Sequence, residues 1–172
     1  MRYLVSSILF FNLLFAHPHT FIDLFPSINS KNNKINSLHF KWRFDEMTSG
    51  VLLMEFDQNM DGVLDKNEIL YARDNFFYPL KEYGYYTDLK IANKKIPIEP
   101  KNFIVKIEDK INISFEFEID INANKNDLQI DFYDQDMFTA FMLKKDFVKS
   151  DLGFKIVDVD NDFYFAYRLQ FN

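Results

Sequence analysis

The sequence predicts a mainly β protein: an antiparallel β-sandwich with a helix-loop-helix, a single EF-hand, inserted between the second and third strands. Three observations lead there. Apolar and polar residues alternate strictly over Ser37–Phe44 and again over Lys110–Ile121, the period of a strand with one buried face. About nine such short segments are separated by turn residues, the spacing of a sandwich. Between the second and third segments, residues 45–83 switch to helical spacing around a twelve-residue acidic loop.

The chain opens with Met1-Arg2 and an apolar run from Tyr3 to Phe15, broken only by Ser6, Ser7 and Asn12, followed by the small residue Ala16 and then Pro18. That pattern predicts a secretory signal peptide over residues 1–16, cleaved near Ala16. The run is too short for a comfortable membrane span, so a retained anchor is the weaker alternative. Residues 17–172 then form a single sandwich domain. With no cysteine in 172 residues, neither a disulfide nor a lipid-anchored cysteine is available, and the periplasm of a bacterium is the expected location.

Thr20 to Ile28 reads as the first strand and Asn29 to Asn36 as a polar turn. In the second strand Leu38, Phe40, Trp42 and Phe44 alternate with His39, Lys41 and Arg43, which places Trp42 in the core. Helices are expected over Asp45–Phe56 and from Ile69 to about Leu80, where Pro79 and Gly84 mark the end. Further strands are expected over 85–92, 102–107, 110–121, 127–133, 138–143, 154–159 and 163–171. Asp131, Asp134 and Asp136 around Tyr133 read as a solvated turn, with an acidic patch as the alternative.

The loop between the helices is the most specific motif. Asp57, Asn59 and Asp61 occupy positions one, three and five of a calcium loop, and Val63 supplies a backbone carbonyl at seven. Asp65 stands at nine and Glu68 at twelve, where two oxygens close the loop. Gly62 falls at position six, where the chain must turn sharply, and Leu64 is an apolar anchor. The plain alternative is an acidic, Asn-rich surface turn. A second loop is absent from the sequence: Asp158-Val159-Asp160-Asn161-Asp162 has Phe163 where glycine belongs and Leu169 where the closing glutamate belongs. Since sensor hands work in pairs, one unpaired loop predicts a structural calcium site.

Cleavage after Ala16 would leave His17-Pro18-His19 at the new terminus, where an α-amino group and imidazoles can chelate nickel, cobalt, copper or zinc. Pro18 excludes the amino-terminal motif that needs a deprotonated amide at the second residue. A hairpin centred near Asn32 and Asn33 pairs positions summing to about 65, bringing His19 toward Asp45 and Glu46 and leaving His39 opposite Pro26. The candidate transition-metal set is therefore His17, His19, Asp45 and Glu46. A flexible terminus is the competing reading.

These segments resemble a known family. His17-Pro18-His19-Thr20-Phe21-Ile22-Asp23, Phe40-Lys41-Trp42-Arg43-Phe44-Asp45-Glu46, the calcium loop, Tyr85-Tyr86-Thr87-Asp88-Leu89-Lys90-Ile91 and Asp131-Phe132-Tyr133-Asp134 look like a bacterial periplasmic family of unknown function. Its members are labelled periplasmic components of an uncharacterised ABC-type transport system and occur beside, or fused to, nickel and cobalt permeases. Gln135 departs from the proline expected there, and Gly84-Tyr85 lacks the histidine that relatives often carry before the aromatic pair. The resemblance implies a role beside divalent-metal transport, with an inner-membrane metal permease as partner.

The formal net charge of −6 argues against nucleic acid as a partner. Three histidines and no cysteine exclude most nucleophilic triads and point away from an enzyme. The expectation is a periplasmic calcium-binding accessory protein for nickel- or cobalt-type transport, its calcium structural. The alternative is a calcium-stabilised interaction module without a transition metal. A copper histidine-brace enzyme ranks third.

Overall fold

The computed structural model describes residues 19–160 and 164–171, so the expected signal peptide and His17 lie outside the described residues. Strand outweighs helix, 51% against 25%, in two sheets.

β1 (Thr20–Lys31) and β2 (Lys34–Phe44) form the expected antiparallel hairpin, but the turn is tighter than the sequence suggested. Only Asn32 and Asn33 turn, both left-handed with φ of 55° and 62°. Asparagine tolerates that region, and two such residues match the twist of a hairpin. The register slips by one between Asn29 and Ser30, where Asn36 is the extra residue. Beyond that bulge partners sum to 66 rather than 65, so His39 faces Ser27 instead of Pro26.

α1 (Glu46–Phe56) and α2 (Lys66–Ala72) follow, with eleven and seven residues. Helices this short do not support the EF-hand helix-loop-helix expected between the second and third strands. The second helix does not run on to Leu80: a π turn over Arg73–Phe77 and a 3-10 stretch over Tyr78–Tyr86 replace it. Pro79 has no N–H to give the Asn75 carbonyl in an α-helical bond, and the Asn75 side chain donates to the Tyr71 carbonyl at 2.9 Å. Gly84, Tyr85 and Tyr86 are all left-handed, with φ of 60°, 51° and 52°.

The remaining strands are β3 (Thr87–Ile91), β4 (Lys94–Ile96), β5 (Lys101–Glu108), β6 (Asn112–Asn124), β7 (Leu128–Phe132), β8 (Thr139–Met142), β9 (Lys149–Ser150), β10 (Phe154–Asp160) and β11 (Phe165–Phe171). One sheet has the order β5-β6-β2-β1-β8, with β9 also on β1; the other has β10-β11-β7-β3-β4. β8 and β9 run parallel to β1, unlike the all-antiparallel pairing expected. Period-two alternation says which face is buried, not which way a neighbour runs.

The two sheets share one core. Phe40 on β2 meets Phe132 on β7 edge-on, centroids 5.5 Å apart, and Trp42 packs edge-on against Phe117 at 5.0 Å. Phe77 from the helical insertion completes the cluster, 6.1 Å from Trp42 and 4.4 Å from Phe103. Ile113, Phe115, Phe117 and Ile119 are buried as their alternation predicts. Ile111 is not. It follows a turn at Asp109 and Lys110, both left-handed, and stands exposed outside β6.

Candidate functional site

The loop between α1 and α2 is held by its own amides. Asp57 ends α1, and its N–H donates to the Leu53 carbonyl at 2.9 Å. Its carboxylate then accepts from the chain ahead: Oδ1 from the Asp61 N–H at 3.1 Å and Oδ2 from the Gly62 N–H at 2.8 Å. Asn59 Oδ1 accepts from Asp61 N–H at 2.8 Å, and Asp61 Oδ1 from Val63 N–H at 2.8 Å. Gly62 has φ of 79°, a conformation that favours glycine at the sharp turn.

Glu68 closes the loop from the far side. Its Oε1 accepts from the Gln58 N–H at 2.9 Å and its Oε2 from the Asp65 N–H at 2.9 Å. Asp65 answers by accepting the Asn67 and Glu68 N–H groups at 2.7 and 3.0 Å, a reciprocal capping box at the start of α2. Asp57 and Glu68 are buried, whereas Asn59, Asp61, Val63 and Asp65 are exposed. Behind the loop, Phe56 and Phe76 meet edge-on at 4.9 Å, and Leu64 packs against the core.

Chemically, this is a ring of hard oxygen donors on a short segment. Each carboxylate or amide oxygen given to an N–H keeps a second lone pair. Asp57, Asp61, Asp65 and Glu68 put four negative charges on twelve residues, and a divalent cation offsets such repulsion. Among the described residues, however, no three His, Cys, Asp or Glu side chains converge as a metal-holding group. The loop oxygens face amides.

The second candidate set is dispersed. His19 is exposed, stacks on Phe138 at 6.3 Å between centroids, and its backbone N–H donates to the Phe138 carbonyl at 2.8 Å. Asp45 caps α1: Oδ1 accepts the Met47 and Thr48 N–H groups, while Oδ2 accepts the Phe21 N–H and the Thr48 hydroxyl. Desolvation, the largest single influence, pushes this carboxyl upward, but those four hydrogen bonds outweigh it and hold it below its ordinary value. Glu46 is exposed in the first turn of α1. His19, Asp45 and Glu46 do not form a cluster.

Sequence reasoning missed a charged ladder across β3, β7 and β11. Asp131, facing both Asp88 and Arg168, takes the Arg168 guanidinium on both oxygens at 2.8 Å. Asp88 pairs with Lys90 at 2.9 Å and Lys95 at 3.2 Å. Asp131 is thus a buried strand residue rather than part of a solvated turn. Asp134 does shape the turn, but buried, accepting the Asp136 and Thr139 N–H groups at 3.0 and 2.9 Å. Arg168 lies 37 residues along the chain from Asp131, beyond any local pattern.

Known proteins add a family. Residues 3–161 match the family described as protein of unknown function (DUF1007). An uncharacterised 15.5 kDa protein from the trpE 3′ region of Spirochaeta aurantia is 30% identical over 97 residues, covering 55% of this chain and 69% of that protein.

Proposed function

The chain belongs to the DUF1007 family, whose function is unknown, and from that premise we propose that it is a calcium-braced binding module that acts without catalysis. The observation that carries this reading is Glu68, at loop position twelve, reaching back to the Gln58 amide while Asp57, at position one, gathers the Asp61 and Gly62 amides. The chain path around the loop is therefore closed in the order a calcium loop needs, and calcium at Asp57, Asn59, Asp61, the Val63 carbonyl, Asp65 and Glu68 would replace amide contacts with a central charge. A single calcium loop of this kind would be structural, tying α1 to α2. The signal-like N-terminus supports export to the periplasm, and the acidic balance supports a protein partner over nucleic acid.

Isothermal titration of the purified protein with calcium tests this. Wild type binds one calcium with an affinity that Asp57→Ala and Glu68→Ala abolish; absence of binding by wild type overturns the reading.

A second reading, an accessory role beside nickel or cobalt transport through an inner-membrane permease, is favoured by the exposure of His19 at the start of β1, next to the His17-Pro18 pair. Titration with nickel, cobalt, copper and zinc, against His17→Ala and His19→Ala, tests it. Histidine-independent binding rules it out.

A further inference from the structure

α1 is apolar on both sides. Its inner face is anchored: Phe56 and Ser49 are fully buried, and the Ser49 hydroxyl accepts the Ile113 N–H at 2.9 Å and donates to the Phe44 carbonyl at 3.2 Å. At 100° per residue, the opposite half of the helix carries Glu46, Met47, Gly50, Val51, Met54 and Glu55. All six are exposed. Met47, Val51 and Met54 are 67%, 60% and 77% exposed, far more than a helix packed only on its own protein needs.

Two further features show what this face fits. Gly50 stands at its centre in open space, with nothing within 4 Å of where a Cβ would be. A glycine there weakens the helix and serves no packing within the chain, but it lets a partner backbone come close. Glu46 and Glu55 sit on opposite margins of the face, α1 carries no basic residue, and the acidic loop follows its C-terminus. A second copy of this face, or an anionic lipid surface, would bring like charges together.

We propose that the outer face of α1, Met47, Gly50, Val51 and Met54 between Glu46 and Glu55, is the docking surface for a basic amphipathic helix of a partner protein. The partner lays an apolar stripe along about 10 Å of α1, two turns of helix, and its lysines or arginines meet the two glutamates. Methionine at two of the contact positions lets the surface adjust to the partner's side chains. The inference deepens the reading of this protein as a binding module and does not depend on calcium in the loop.

The test uses a fluorescein-labelled amphipathic peptide of leucine and lysine at helical spacing, its anisotropy titrated with full-length protein in calcium and in chelator. A leucine/glutamate peptide, phosphatidylglycerol vesicles and sedimentation of the protein alone run alongside. The basic peptide binds, and Val51→Ser, Met54→Ser and Gly50→Leu each weaken it by about tenfold or more. Glu46→Lys with Glu55→Lys weakens it likewise. Ile104→Ser, an exposed apolar residue on β5, leaves it unchanged. Because leucine is a strong helix former, Gly50→Leu holds or raises the melting temperature, so its loss of binding is not loss of fold. Equal effects of Ile104→Ser and the α1 variants, equal binding of the acidic peptide, no peptide binding, dimerisation through α1, or vesicle binding in place of peptide binding each overturn the proposal. A protein that binds the peptide but does not respond to calcium sinks only the calcium reading. One that responds to calcium but binds no peptide sinks only the docking surface.

Discussion

Asp45 fastens β1 to α1: its Oδ2 accepts the Phe21 N–H at 2.9 Å, across a gap of 24 residues, while its Oδ1 caps the helix. The carboxylate that sequence reasoning offered to a transition metal thus has its oxygens engaged by strand and helix. Replacing it should be costly for stability. Asp45→Ala is expected to lose about 1–2 kcal/mol, the usual loss for an N-cap, and Asp45→Asn much less, since asparagine also caps. Urea unfolding measures both; an Asp45→Ala midpoint equal to wild type contradicts the clamp.

The same carboxyl sets an acid sensitivity. Its folded value is depressed, so its stabilisation is present above the unfolded value and is lost as pH falls through the folded one. Below about pH 4, wild type should therefore lose melting temperature more steeply than Asp45→Ala. Parallel acid profiles for the two proteins contradict it.

The Asp131–Arg168 pair predicts an asymmetry. The Arg168 side chain is 28% exposed and can be hydrated alone, whereas that of Asp131 is 7% exposed and cannot. Arg168→Leu is expected to cost about 2–3 kcal/mol, less than a fully buried pair because of that exposure, and Asp131→Asn about 1 kcal/mol. Equal losses measured by denaturant unfolding contradict the asymmetry.

Trp42, the single tryptophan, is buried, and its indole N–H finds no acceptor among the described residues. Trp42→Ala should cost about 3–5 kcal/mol through the cavity it leaves. Trp42→Phe removes an unpartnered donor along with some volume, so its loss should be well under half of that. A Phe variant as unstable as the Ala variant shows that the N–H is satisfied.

Much of this was legible in the residues. Alternation at Leu38, Phe40, Trp42 and Phe44 and at Ile113 to Ile119 located the buried faces because each strand exposes one side to water. The pairing of β8 with β1 was not legible, since strand direction leaves no trace in a period of two. The Asn36 bulge shifted by one every partner beyond it, from Asn29 and Ser37 onward, which a turn read only as polar could not foretell. At the loop, spacing identified Asp57 to Glu68, but not that their oxygens would face amides. Asp45 looked like a ligand because the hairpin register carried it toward His19; its place one residue before α1 was the available sign that it is a cap.

Calcium bracing of the loop is tested most directly by the melting temperature, read by Trp42 fluorescence, of wild type and Glu68→Gln in calcium and in chelator. Glutamine keeps one acceptor oxygen for the loop amides and can still serve a capping box, but it lacks the second charged oxygen that closes a calcium site. Calcium at a hundredfold excess over its dissociation constant is expected to stabilise wild type by about 2.7 kcal/mol and to leave Glu68→Gln at its chelated value. A wild type whose melting temperature ignores calcium contradicts it.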